Sequence, residues 1–307
     1  MRAAALAAAL LQLAASGARA APAPQVFAPG IISGPEHDTA PAFTPDGRTV
    51  YFSRSDGDAS TILVSRRTQA GWSMPAVAPF SGEWRDMEPV MAPDGRYLVF
   101  VSNRPPQPGA APLDGFFNAK HLPGRGGNLW RVDWSAAGWS EPQHLPQTVN
   151  GDASTFAPAL AADGTLFFMH PAADRGRFHL FYAARVRGEY QAPQPLPFSA
   201  DTVTDVDPAV APDQSFMVFA SSRAPARELE LFIVFRRHGE WQTPQHLDGG
   251  IAAPGSNAEA RLGPDGRTLY FSSERLAADA PPGADWNNGK YNIWRVSLAP
   301  WLRASGH

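Results

Sequence analysis

The chain has 307 residues with 31 Pro, 27 Gly and 44% hydrophobic residues, a combination that excludes disorder and points to many short strands joined by many turns. A net charge of -3 gives no electrostatic case for nucleic acid. The absence of cysteine excludes disulfides and a lipid-modified N-terminal cysteine.

The N-terminus reads as a secretory signal peptide over residues 1–20: Arg2, an apolar run from Ala3 to Leu13, then the small-x-small site Ala18-Arg19-Ala20. The run is too short to span a bilayer, so a periplasmic or secreted protein without membrane insertion is expected. Residues 21–300 are expected to form one domain, and 301–307 a C-terminal tail.

From Pro41 onward one stretch recurs. Pro41-Ala42-Phe43-Thr44-Pro45-Asp46-Gly47 leads into the β-forming run Thr49 to Ser53. Equivalent stretches centre on Asp94, Asp163, Asp213 and Asp265, at spacings of 48, 69, 50 and 52 residues. Each repeat predicts four strands. A short strand begins at the first Pro, and a Pro-Asp-Gly turn follows, in which Pro presets φ and Gly accepts positive φ. An aromatic-rich second strand comes next, then a third such as Thr61 to Ser65 or Asn292 to Val296. The fourth opens on an aromatic with Pro three residues later: Trp72 and Pro75, Trp139 and Pro142, Tyr190 and Pro193, Trp241 and Pro244. Four strands per repeat of this period predict an all-β propeller. The 69-residue step marks an insertion in the second repeat.

The fifth repeat stops after its third strand. Pro24-Gln25-Val26-Phe27 matches Pro142-Gln143-His144-Leu145 and Pro244-Gln245-His246-Leu247. The N-terminal strand is therefore expected to complete the last blade and close the ring, which removes an unpaired edge. Five blades are expected, with six as the alternative, and a closed ring makes a monomer the expected state.

The Pro-Asp-Gly turn, the aromatic strand and the Ser-x-Arg elements at Ser102-Asn103-Arg104, Ser221-Ser222-Arg223 and Ser273-Glu274-Arg275 resemble the PD-type, WD-like repeats of the TolB-like β-propeller family. That resemblance covers Pro24 to about Leu298. It implies the fold and, for function, periplasmic interaction proteins or the propeller gate of prolyl oligopeptidase-type enzymes. The chain is expected to depart from both: its sequence suggests no α/β domain ahead of the repeats, and it contains no Gly-x-Ser-x-Gly elbow.

In a propeller the first strands line the channel, and the loops between second and third strands emerge where the first strands begin. Three residues before each repeat's reference position stand Asp38, Asp86, Thr155, Asp205 and Asn257; one residue before it stand Ala40, Glu88, Ala157, Asp207 and Glu259. Asp38, Asp86, Glu88, Asp205, Asp207 and Glu259 are thus expected to gather around one channel mouth. No cofactor is required, though such an oxygen-only set would suit Ca²⁺ or Mg²⁺, or a cationic group of a ligand. Equally, the acids could serve strand-start amides as repeat signatures. Arg261 interrupts a position held elsewhere by Ala42, Val90, Ala159 and Ala209; it would balance the acids or clamp a carboxylate. Two long loops, Pro105 to Gly127 and Leu276 to Lys290, carry Phe116, Phe117 and Trp286 as candidate binding anchors.

The leading expectation is a non-enzymatic scaffold that binds a protein, peptide or glycan partner through one channel mouth and the two loops. The alternative is a glycoside hydrolase-like enzyme using carboxylates at that mouth.

Overall fold

The structure, a computed structural model, describes residues 23–117, 120–172, 176–199, 202–305. The expected signal peptide lies outside the described residues. Five antiparallel sheets form a five-bladed β-propeller. Blade 1 runs outward through His37–Phe43, Thr49–Ser55 and Ser60–Thr68 to an outer edge split into Gly71–Trp72 and Ala76–Val77. Blade 2 has Asp86–Met91, Tyr97–Ser102 and Asn128–Ser135, edged by Gly138–Trp139 and Gln143–His144. Blade 3 has Phe156–Leu160, Leu166–Pro171, Phe178–Ala183 and Gln194–Pro195. Blade 4 has Asp205–Val210, Phe216–Ser221 and Glu230–Arg237, edged by Glu240–Trp241 and Gln245–His246.

Blade 5 holds Asn257–Leu262, Thr268–Ser273 and Asn292–Ser297. Its outer strand is Gln25–Val26, in register Gln25 with Arg295 and Val26 with Trp294. The Phe27 amide extends the ladder by donating to the Ile293 carbonyl (2.8 Å). The strand contributed by the N-terminus closes the ring as the Pro-Gln match predicts. Of the residues expected as tail, Trp301 and Leu302 belong to a short helix, Ala299–Ala304, that packs on the blade 4–blade 5 core.

Five apolar clusters hold the ring together, one at each interface between neighbouring blades. Each blade is apolar on both faces because each face meets a neighbour. Phe52, Phe100, Phe168, Phe219 and Phe271, one per blade on the second strand, are all buried. The cluster between blades 5 and 1 also contains Phe27, so closure is a packing event as well as a hydrogen-bonded one.

One irregularity repeats in every blade and shapes the channel. The inner strand bulges, with register shifts between Thr39 and Ala42, Met87 and Val90, Phe156 and Ala159, Val206 and Ala209, and Ala258 and Arg261. Inside each bulge a non-glycine residue has positive φ: Ala40 (48°), Glu88 (52°), Ala157 (49°), Asp207 (56°) and Glu259 (50°). A left-handed residue costs on the order of 1 kcal/mol, so five in register need a compensating contact.

Candidate functional site: the central channel and its two mouths

The six acids expected around one mouth form two separate sets. Asp38, Asp86 and Asp205 are fully buried, and each is held by an arginine of its own blade. Arg104 Nη2 donates to Asp86 (2.9 Å) and to the Phe80 carbonyl, while Nε donates to Ser102 Oγ. Arg223 repeats this on Asp205 (2.7 Å), the Phe198 carbonyl and Ser221 Oγ. Both guanidiniums lie near two rings of their blade, Phe100 and Trp130 or Phe219 and Phe232. The Ser-x-Arg element is therefore half of a clip whose other half is the first acid of the inner strand.

The clip varies by blade. In blade 1 the arginine comes from the cross-strand position: Arg54 Nε and Nη2 grip Asp38 at 2.7 and 3.2 Å, and the Gly34 amide donates to the same carboxylate. In blade 5 Asn257 replaces the acid; Arg275 donates to its Oδ1 (2.5 Å), and its Nδ2 donates to the Ala253 and Gly255 carbonyls. Without an acid beside it, Arg275 is pushed down by burial to about 10. Burial raises Asp38 to about 6 against the pull of Arg54, and also raises Asp86.

Glu88, Asp207 and Glu259, the left-handed residues, form the inner set. The Ala157 amide of blade 3 donates to Glu88 Oε2 (2.6 Å), and the Glu259 amide of blade 5 donates to Asp207 Oδ2 (2.9 Å). The Glu88 amide donates to Ser53 Oγ of blade 1 (2.8 Å). Glu259 is held by the Thr39 and Ser272 hydroxyls. Three of the five bulges, those at Glu88, Ala157 and Glu259, thus turn an amide toward another blade, where a carboxylate or hydroxyl receives it. In those three bulges this contact offsets the left-handed backbone. Burial, then repulsion from the other acids, raises Glu88 to about 8 and Glu259 to about 7; burial also raises Asp207. Among the described residues no group of three His, Asp or Glu side chains is placed to hold a metal ion.

Two arginines share the electrostatics of these acids. Arg85, half-buried just ahead of the blade 2 inner strand, is drawn by Glu88 and Glu259, and its Nε has no protein acceptor. Nothing in the repeat marks this residue. Arg261 is also close enough to the acids to lower all three, but it lines the opposite mouth, where the inner strands end and the Pro-Asp-Gly turns stand.

Both long loops emerge at the mouth where the inner strands begin, and both lean on blade 1. From blade 2, Arg125 donates to the Gly57 carbonyl (2.5 Å) and pairs with Asp58 (2.7 Å). From blade 5, Asn288 donates to the Pro35 carbonyl (2.9 Å), and Lys290 pairs with Glu36 (2.7 Å). The blade 2 loop contains a hairpin, Gly115–Phe117 with Lys120–Leu122, on which Phe116 stacks against His121 at 4.9 Å. It rejoins the ring at Gly127, where a Cβ would stand 2.4 Å from the Phe156 ring. Phe116 is 46% exposed, whereas Trp286 of the other loop is buried. The Phe117 side chain lies outside the described residues. Leu122 and Leu276 are further exposed apolar side chains on these loops.

No protein-family model matches this sequence, and no curated protein matches it. Solved structures match in shape. A putative TolB from Agrobacterium tumefaciens has a TM-score of 0.50 at 16% identity, over 80% of this chain and 72% of that one. The chain shares the TolB-like propeller fold. An α-L-arabinofuranosidase from Lactobacillus brevis gives 0.57 at 14% identity, over 89% and 92% of the two chains. An endo-arabinase from Bacteroides thetaiotaomicron VPI-5482 gives 0.52 at 13%, over 89% and 97%. At such identities the likeness is one of fold. Among the described residues no helix is long and apolar enough to cross a membrane.

Proposed function

We propose that this chain is a periplasmic or secreted, non-enzymatic scaffold that binds a protein, peptide or glycan partner at the loop-bearing mouth. The observation that carries this reading is the placement of exposed apolar side chains. Phe116, Leu122 and Leu276 are all on the two long loops, and both loops are braced on blade 1 by ion pairs and hydrogen bonds. Apolar groups held outward on a braced support make binding anchors, since little side-chain freedom remains to be lost on association. The acids of the channel have structural partners: three are clipped by arginines, and two of the remaining three accept backbone amides. TolB-type propellers supply the analogy for a protein partner, with a monomer as the expected state.

A second reading draws on one observation. Glu88 and Glu259 are raised toward neutrality, the condition a general acid needs, and the arabinofuranosidase and endo-arabinase share the fold. Buried carboxyls bonded across blades favour the scaffold.

The test is capture of partners from periplasmic extract by the full chain and by a variant carrying Phe116→Asp, Leu122→Asp and Leu276→Asp. The scaffold reading expects a defined partner with wild type and its loss with the variant. Equal recovery from both would overturn the loop assignment. Reducing-sugar release from arabinan by wild type, abolished in Glu88→Gln, would favour the enzyme.

A further inference from the structure

The mouth opposite the loops is a cavity of about 550 Å³ to which all five blades contribute. Its walls are more apolar than polar, with Phe43, Met91, Leu160, Val210 and Leu262 at the ends of the inner strands and Asp213, Ser215 and Asp265 toward the turns. Arg261 stands in this wall. It is 4% exposed; Nη1 donates to the Ala260 carbonyl (2.8 Å), while Nε and Nη2 have no acceptor in the protein. A buried guanidinium edge without a partner forfeits hydrogen bonds that water would otherwise supply.

The molecule itself shows what that edge recognises. In blade 1 the Nε and Nη2 of Arg54 hold the two oxygens of Asp38 at 2.7 and 3.2 Å. The same pair of donors has no acceptor in Arg261; the residue lines the cavity, while the two donor atoms themselves are shielded from solvent. We propose that the turn-side mouth binds a small monocarboxylate with an apolar body, which draws the shielded Nε and Nη2 edge of Arg261 onto its carboxylate and lays its body against the apolar part of the wall.

Charge and size narrow the ligand further. Glu88, Asp207 and Glu259 act on Arg261 from within the channel, and Asp213 and Asp265 stand at the rim. One arginine among five acids disfavours phosphate or sulfate dianions. Burial and mutual repulsion keep protons on the inner glutamates near neutrality, which leaves guanidinium charge for a singly charged ligand. The cavity lies within the roughly 300–1,000 Å³ of small-molecule sites. This site is independent of the loop-bearing mouth, so either assignment can fail without the other.

The experiment is isothermal titration calorimetry of the full chain at a mildly acid pH with octanoate, octan-1-ol and octyl phosphate. Octanoate is expected to bind at least about ten-fold more tightly than the other two, the difference a charged bidentate pair supports. Arg261→Ala, which installs the residue found at Ala42, Ala159 and Ala209, is expected to remove that preference. Octanoate binding no tighter than octan-1-ol, or unchanged in Arg261→Ala, would overturn the proposal, as would no octanoate heat up to about 10 mM. Should Arg261→Ala not fold, the wild-type comparison of octanoate with octan-1-ol still decides.

Discussion

Two sets of acids occupy positions two residues apart along the inner strands, both filled in blades 2 and 4, and they are treated in opposite ways. Asp38, Asp86 and Asp205 each have a dedicated arginine, whereas among the described residues Glu88, Asp207 and Glu259 have none within ion-pair distance. The clip of the first set lies within one blade and closes locally, through serine, arginine and two aromatic rings. Bonds of the second set cross from blade to blade and carry no countercharge of their own. The first set therefore fixes the inner strand to the second strand in blades 1, 2 and 4, while the second ties the blades around the axis and leaves charge in the channel unbalanced. A bare structural repeat needs only the first arrangement. The second is where this chain has electrostatic work left over.

The largest expected effect comes from breaking one clip. Asp86→Ala leaves Arg104 largely buried without its carboxylate and should cost about 3 kcal/mol, because an unpaired charge then stays in the core. Urea denaturation at neutral pH measures it, and a loss under about 1 kcal/mol would mean that Ser102 and the Phe80 carbonyl suffice.

Next in size is the pH response of the inner set. A carboxyl whose pKa is higher folded than unfolded takes up a proton on folding between the two values, so stability falls as pH rises through that window. For Glu88 the window runs from the ordinary 4.5 to about 8, and for Glu259 from 4.5 to about 7. Asp38, whose window ends near 6, contributes only to the lower part. The melting temperature is therefore expected to fall by roughly several degrees between pH 6 and pH 8.5. The double variant Glu88→Gln, Glu259→Gln should lose most of that slope. A flat wild-type profile would place the inner acids with the clipped ones.

Arg261→Ala should steepen the same profile, since all three inner acids lose a cation that lowers them. The expected change is on the order of 1 kcal/mol at pH 8 and smaller at pH 5. Phe116→Ala, by contrast, should alter stability by less than about 0.5 kcal/mol, as its side chain is half exposed. A larger loss would make the hairpin part of the scaffold.

The ring was legible because turn chemistry is local. Pro45-Asp46-Gly47 and its equivalents announce each inner hairpin, and Pro24-Gln25 announces the strand that closes blade 5. The division of the acids was not legible. Residues two apart on a regular strand share a face, so Asp86 and Glu88 read as neighbours at one mouth. The bulge at Glu88 breaks that alternation, and because Ala, Glu and Asp fill the left-handed position, no glycine marks it. The partner of Ser-x-Arg was hidden for another reason. Arg104 meets Asp86 across 18 residues of chain, but blade 1 draws its arginine from Arg54, out of phase with the motif. Arg261 stood out in the sequence as a break in the repeat, but only the cavity beside it shows which end of the channel it serves.

The contrast between the two acid sets is tested most directly by NMR titration of the glutamate side-chain carboxyl carbons in the full chain. The account predicts two glutamate signals with midpoints near 7 and 8, one lost in Glu259→Gln and the other in Glu88→Gln. Midpoints below about 5.5 for every glutamate would contradict it, and would mean that the channel acids are as fully compensated as those in the clips.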